Sequence, residues 1–297
     1  MKVANLAGRL TIVTDSGAID VEQASGGGFD ADPQAIYVRW DEFTQWAAQT
    51  DLAGGGRAYS PLDLGAPAPR PSQIFAVGFN YRSHAQEFGT TVAHGPPPVF
   101  TKFASSITGP FGSVALPEGS VDWEIELVAV IGRRGWQVDE VHAWRHIAGL
   151  AVGQDLSERE TQLRGSTPQF SLGKSYPAFA PMGPWIVTLD EIDDPDDLRL
   201  TCTLNGDIVQ DARTSQMIAP LPALVAQLSC VVPLLPGDVI YTGTPAGVGM
   251  GRQSPRFLRP GDELASRIEG IGDMQHTMIA ANAKPSPAQR TCGGHLT

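Results

Sequence analysis

The stretch Asp122-Trp123-Glu124-Ile125-Glu126-Leu127-Val128-Ala129-Val130-Ile131-Gly132 constrains this chain more than any other. Side chains alternate across a strand, so Glu124, Glu126, Val128 and Val130 share one face. The intervening positions are apolar as well. A strand apolar on both faces belongs inside a layered fold, here with two carboxylates at one end. Two buried like charges cannot both ionise without a cation nearby. A solvated strand end accounts for this local pattern about as well.

The chain has 297 residues, enough for about two ordinary domains or one large one. With 33 Gly and 24 Pro it points to many short strands joined by turns rather than to a helical protein. A hydrophobic fraction of 42% supports a sizeable core, and 18% charged is too low for a disordered chain. The net charge of −11 argues against nucleic acid and against an anionic membrane as partner. No apolar run approaches the ~18 residues of a membrane span. Arg9 interrupts the N-terminal apolar residues, so no secretory signal is expected. Cys202, Cys230 and Cys292 are far apart, without a CxxC, which excludes a disulfide framework and a thiolate zinc site. A reducing, cytoplasmic location is expected, with Cys230 as a buried apolar filler.

The first seventy residues hold a hairpin, Leu10 to Thr14 and Ala18 to Val21, then a helix near Trp40 to Ala48. The Pro-rich stretch from Gly65 to Pro71 reads as a linker, which makes 1–70 a small N-terminal domain. From Ile74 onward, strands fit Ile74 to Gly78, Ile125 to Gly132, Ala148 to Gly153, Trp185 to Thr188, Leu198 to Leu204, Val239 to Thr242 and Glu263 to Ile268. Asn80 can cap a helix from about Tyr81 to Phe88, followed by a Gly/Pro/His loop to Pro98. Leu221 to Cys230 is apolar at helical spacing. Strands outnumber helices, so the expected class is α+β, β-rich, with a mixed sheet. Domain 71–282 follows the N-terminal domain, and 283–297 reads as a disordered tail.

Asp155 follows the apolar strand Ala148 to Gly153, where a strand gives way to a helix. Ser157 and Glu160 form a capping box for that helix, so Asp155 is not needed as the cap. Glu124, Glu126 and Asp155, with no Cys or His among them, suit a hard divalent cation, Mg²⁺ or Mn²⁺. His84 and Glu87 are i, i+3 on a helix, where a carboxylate can orient an imidazole as a general base; an exposed helix pair accounts for them too. Lys174, in Gly173-Lys174-Ser175, taken alone is a surface lysine. Thr242 to Gly249 is a small-residue turn without the Gly-Lys-Ser/Thr of a nucleotide loop.

Together these pieces resemble the fumarylacetoacetate hydrolase family. The matching segments are Gly78-Phe79-Asn80-Tyr81 with His84 and Glu87, Lys102 to Pro110, Glu124-x-Glu126, Gln154-Asp155-Leu156-Ser157-x-Arg159 and Gly173-Lys174-Ser175. They continue with Asn205-Gly206, Gln210, Thr214, Met217-Ile218, Pro236-Gly237-Asp238 and Thr242-Gly243-Thr244-Pro245. The resemblance implies a β-rich, roll-like fold, usually dimeric. It implies Mg²⁺ or Mn²⁺ on Glu124, Glu126 and Asp155, a catalytic dyad of His84 and Glu87, and an active-site Lys174. It implies substrate-binding roles for Asn80, Tyr81, Arg159, Gln210 and Thr244. The activity it implies is hydrolysis of a C–C bond in a diketo acid of the acylpyruvate or fumarylpyruvate type. Oxaloacetate-type decarboxylation and isomerisation of a 2-hydroxydienedioate are the alternatives on the same site. A binding protein without activity would keep the site but lose His84 or Glu87, and neither is lost.

Overall fold

The computed structural model describes residues 1–52, 54–89 and 95–281. Residues 90–94, inside the expected Gly/Pro/His loop, and the expected tail 283–297 lie outside the described residues.

Two sheets carry the structure. The larger runs in the order Gly17–Asp20, Arg9–Thr14, Lys2–Leu6, Ala180–Val187, Ile147–Gln154, Ile125–Ile131, Val239–Tyr241, Ile74–Val77 and Val99–Thr101. The smaller runs Asp207–Arg213, Arg199–Leu204, Glu263–Ile268, Gly272–Ala280 and Phe111–Leu116. Both are mixed: Val239–Tyr241 is parallel to Ile74–Val77, and Gly272–Ala280 is parallel to Phe111–Leu116. Few helices accompany them, so the architecture is the expected β-rich, mixed-sheet α+β fold.

The strand Ile125–Ile131 is buried at every position. On one face Ile125, Leu127, Ala129 and Ile131 pack with Leu200, Leu204, Leu264 and Met274 of the smaller sheet. On the other face Val128 and Val130 join Leu10, Ile12, Tyr37, Trp40 and Phe43. Each fully buried side chain of this size stabilises by ~1.5–3 kcal/mol, which explains why the strand carries apolar residues on both faces. Glu124 and Glu126 continue the second face past the end of that core.

The expected boundary at residue 70 does not divide two cores. Lys2 and Val3 pair with Val187 and Ile186, so the first strand of the chain extends the larger sheet. The Pro-rich stretch is packed rather than spacing: Ala66 and Ala68 are buried, Tyr37 Oη donates to Pro67 O, and Asn5 Nδ2 donates to Ala66 O.

Three local expectations need correction. Asn80 does not cap its helix. The helix is Arg82–Glu87 with Tyr81 at its N-cap, and the Asn80 side chain is turned into the core. Glu158, not Ser157, caps Arg159–Gln162; its carboxylate accepts from Glu160 N and Thr161 N, while Ser157 Oγ donates to Asp155 O. Cys230 is exposed at a helix C-terminus, and it is Cys202 that is buried. Among the described residues no helix is long and apolar enough to cross a membrane.

Candidate active site

Strand pairing brings the three carboxylates together. Ile125 is paired with Gln154, and Asp155 N donates to Glu124 O at 2.9 Å, so Asp155 stands across from Glu124. Glu126 lies two residues further on the same face. One carboxylate oxygen from each of Glu124, Glu126 and Asp155 lies within 4.8 Å of the others, and all three residues are buried. The local backbone is held by two glutamines. Gln154 Oε1 accepts from Glu124 N at 2.9 Å, and Gln210 Oε1 accepts from Ile125 N at 3.0 Å.

Buried cations surround this cluster. Lys174 Nζ is 2.7 Å from Glu124 Oε2 and 2.6 Å from Asp155 Oδ2. Lys102 Nζ donates to Asp155 Oδ1 and to Lys174 O. Arg159 Nη2 is 2.7 Å from both Asp122 Oδ2 and Glu124 Oε1. Burial pushes the Glu124 carboxyl up, but Lys174, Arg159 and His84 outweigh it and hold the group below the usual carboxylate range. Burial likewise lowers Lys174, but Asp155 and Glu124 prevail and its ammonium is stabilised. Glu126 differs. Burial, then Asp155 and Glu124, push its carboxyl well above the usual range, and among the described residues it takes part in no ion pair. Gly243 N donates to its Oε2 at 2.7 Å.

The donor set fits a hard divalent cation. All the acceptor atoms are carboxylate oxygens, and Glu126 is a buried carboxylate that makes no direct ion pair among the described residues, the Lys174 charge only partly offsetting its burial and its two acidic neighbours. Among the described residues the buried Tyr81 hydroxyl has no hydrogen-bond partner, and the Glu126 charge adds to burial in raising its phenol, so the two groups are near one another.

His84 and Glu87 meet as the helical spacing requires, with Nδ1 to Oε2 at 3.1 Å. Both are largely buried, with side-chain exposures of 8% and 12%, which excludes the exposed-pair alternative. Glu87 Oε1 also accepts from Gly247 N at 3.0 Å, which ties the helix to the turn after Val239–Tyr241. His84 lines a cavity of about 270 Å³ together with Glu124, Arg159, Gln162, Lys174 and Thr244.

The remaining sequence candidates separate. Arg159 and Thr244 line that cavity. Asn80 and Gln210 do not: Asn80 Nδ2 donates to Ala219 O and Thr242 O, and its Oδ1 accepts from Ala219 N. Gln210 Nε2 donates to Thr244 Oγ1 and Pro245 O, so it braces the threonine from behind. Two buried residues of the site had not been singled out. Lys102 is one. Asp122 is the other: it accepts from Gly249 N at 2.6 Å and Met250 N at 3.0 Å and holds Arg159. The alternation of residues 122, 124 and 126 on one face was its available signal.

A family model described as fumarylacetoacetate (FAA) hydrolase C-terminal matches residues 73–279. The human mitochondrial oxaloacetate tautomerase is 44% identical over 209 residues, 70% of this chain and 66% of that protein. The aligned part therefore spans just under two thirds of that relative's length. A Mycobacterium smegmatis protein given the provisional name HpcE superposes with a TM-score of 0.90 at 52% identity, covering 95% of this chain and 100% of that one. Maleylpyruvate hydrolase from Sphingobium sp. SYK-6, solved with manganese(II) and pyruvate, has a TM-score of 0.78 at 28% identity, with 95% and 100% covered. The fold, the order of its site residues and these matches agree: the chain belongs to the fumarylacetoacetate hydrolase family.

Proposed function

We propose that the protein hydrolyses an acylpyruvate, a 2-oxo acid with a second carbonyl at C4, to pyruvate and a carboxylic acid. The observation that carries this reading is His84, oriented by Glu87 and lining one cavity with Glu124, Lys174 and Thr244. Glu124, Glu126 and Asp155 would hold Mg²⁺ or Mn²⁺, a reading supported by the manganese in the Sphingobium enzyme. When bound, the cation supplies Lewis acidity toward the 2-oxo acid end of the substrate.

His84 removes a proton from water, and Glu87 at its Nδ1 fixes the tautomer that leaves Nε2 free to do so. The hydroxide adds to C4. The C3–C4 bond then breaks, and its electron pair passes into the enolate of pyruvate. The Lys174 ammonium adds positive charge beside that enolate. His84 returns its proton to C3, so one water is consumed and the base is restored.

Keto–enol interconversion of oxaloacetate is the second reading, favoured by the activity in the human relative's name. It needs a proton moved between C3 and oxygen, which the same imidazole can do without attack by water.

Pyruvate release from acetylpyruvate in the presence of Mn²⁺ tests the assignment. His84→Ala is expected to lower kcat by ~10²–10⁴-fold, the usual worth of a positioned general base, with Mn²⁺ binding retained. A wild type that interconverts oxaloacetate tautomers but leaves acetylpyruvate intact moves the assignment to the second reading.

A homodimer belongs to the same reading, with the apolar stretch from Val231 to Leu235, 77% exposed at Val231, as the candidate contact. A sedimentation mass near 31.6 kDa at micromolar concentration refutes it.

A further inference from the structure

The lining of the cavity is sorted by depth. Its polar members, His84, Glu124, Arg159, Gln162, Lys174 and Thr244, are buried. Its large apolar members stand nearer solvent. Phe79, Phe88, Phe100, Phe170 and Met250 are half-buried, and Leu163 is 42% exposed; among the described residues of the lining Val77 is the only buried apolar side chain. A substrate whose carboxylate end lies on the polar floor must therefore pass its other end through an apolar mouth.

The mouth is built from rings in contact. Phe79 and Phe88 have centroids 6.1 Å apart, and Phe100 and Phe170 5.6 Å. Phe79 holds φ at 51°, in the left-handed region that disfavours a bulky side chain, and strain of this kind collects at ligand clamps. Cations that could meet a second carboxylate are already engaged. Arg159 places Nε and Nη2 on Asp122 and Nη1 on Gln162, and Lys174 bridges Glu124 and Asp155. Among the described residues no other lysine or arginine lines the cavity. A carboxylate at this mouth would lose hydration against aromatic carbon without gaining a partner.

We infer that the aromatic mouth of Phe79, Phe88, Phe100, Phe170 and Leu163 selects 2-oxo acids with an uncharged, apolar far end and rejects those with a second carboxylate there. Oxaloacetate and maleylpyruvate, the compounds in the relatives' names, carry such a second carboxylate. The inference rests on the proposed binding of a 2-oxo acid at the polar floor.

Competition against a fluorescent reporter, or calorimetry, in the presence of Mn²⁺ separates the two layers. Oxalate probes the floor alone. Pyruvate, 2-oxobutyrate and 2-oxopentanoate lengthen the apolar end, and 2-oxoglutarate places a carboxylate on it. Oxalate is expected to bind, affinity to rise about fourfold for each added methylene, and 2-oxoglutarate to bind at least ~10-fold more weakly than 2-oxopentanoate. Leu163→Arg, a substitution at an exposed position, is expected to narrow or invert that preference. Affinity for 2-oxoglutarate equal to or above that for 2-oxopentanoate, with oxalate still binding, overturns the selective mouth and leaves the floor reading standing. No binding of oxalate or of any 2-oxo acid overturns both.

Discussion

Gly251 and Glu87 are packed so closely that a β-carbon on Gly251 would stand 2.2 Å from the Glu87 carboxyl carbon. The turn that donates Gly247 N to Glu87 therefore also walls the carboxylate in from a second side. The obstructed atoms belong to the far end of a flexible side chain, so Gly251→Ala should move Glu87 rather than unfold the protein. We expect kcat on acetylpyruvate to fall by ~10-fold with the melting temperature little changed, since the dyad loses its orienter but keeps its base. Unchanged kcat would show that the seated position of Glu87 does not matter.

Glu126 couples metal binding to pH. Its carboxyl is pushed up in the folded protein, so between the unfolded value of 4.5 and the raised one the folded state holds a proton that the unfolded chain has released. In the metal-free protein this contribution to stability is present below 4.5 and is lost as pH rises through the raised value. Mn²⁺ must displace the same proton, so its affinity should increase with pH over that window. Thermal melts with and without Mn²⁺ across about pH 5–8 measure the effect. Glu126→Gln should abolish the Mn²⁺-induced rise in melting temperature and raise metal-free stability at neutral pH.

His276 supplies a pH effect away from the site. Burial lowers its imidazole to about 4, only partly offset by the hydrogen bond from Nε2 to Gly109 O at 3.0 Å. The unfolded chain takes up this proton below about 6.5 and the folded protein does so only near 4. Stability is thus fully present above 6.5 and falls as pH drops toward 4, by about 3 kcal/mol. His276→Gln should flatten this part of the pH dependence. Urea midpoints for both proteins at several pH values between 4 and 7 are the check, and parallel curves would count against it.

The carboxylate cluster was readable in part: a strand repeats every two residues, which puts Glu124 and Glu126 on one face, but a solvated strand end fits that pattern too, and the family resemblance decided between them. The dyad was readable because three residues on a helix bring side chains together. Asn80 misled because an asparagine before a helix is usually a cap. Its role, bridging Thr242 O and both backbone groups of Ala219, depends on segments more than a hundred residues away. Lys102, and Lys174 without the family resemblance, were opaque for the same reason, since a lysine in a loop is ordinary until distant carboxylates close around it. The N-terminal segment read as a separate domain because prolines suggest a spacer. No local pattern in Lys2–Leu6 announces that its partner is Ala180–Val187.

The pairing of Phe111–Leu116 with Gly272–Ala280 bears on how the chain matures. Ile74–Val77 likewise waits for Val239–Tyr241, and Lys2–Leu6 for Ala180–Val187. Such distant contacts close slowly, because chain entropy is lost before the contacts reward it. During synthesis the earliest strands emerge long before their partners, so an unfinished chain exposes sheet edges that invite association with other chains. The strand of Glu126 lies between Ile147–Gln154, its neighbour in the chain, and the late-arriving Val239–Tyr241. The carboxylates of Glu124, Glu126 and Asp155 meet within one adjacent strand pair, but Gly243 N, which holds Glu126, joins them only when Val239–Tyr241 docks, so a nascent polypeptide completes this site only after that strand has left the ribosome.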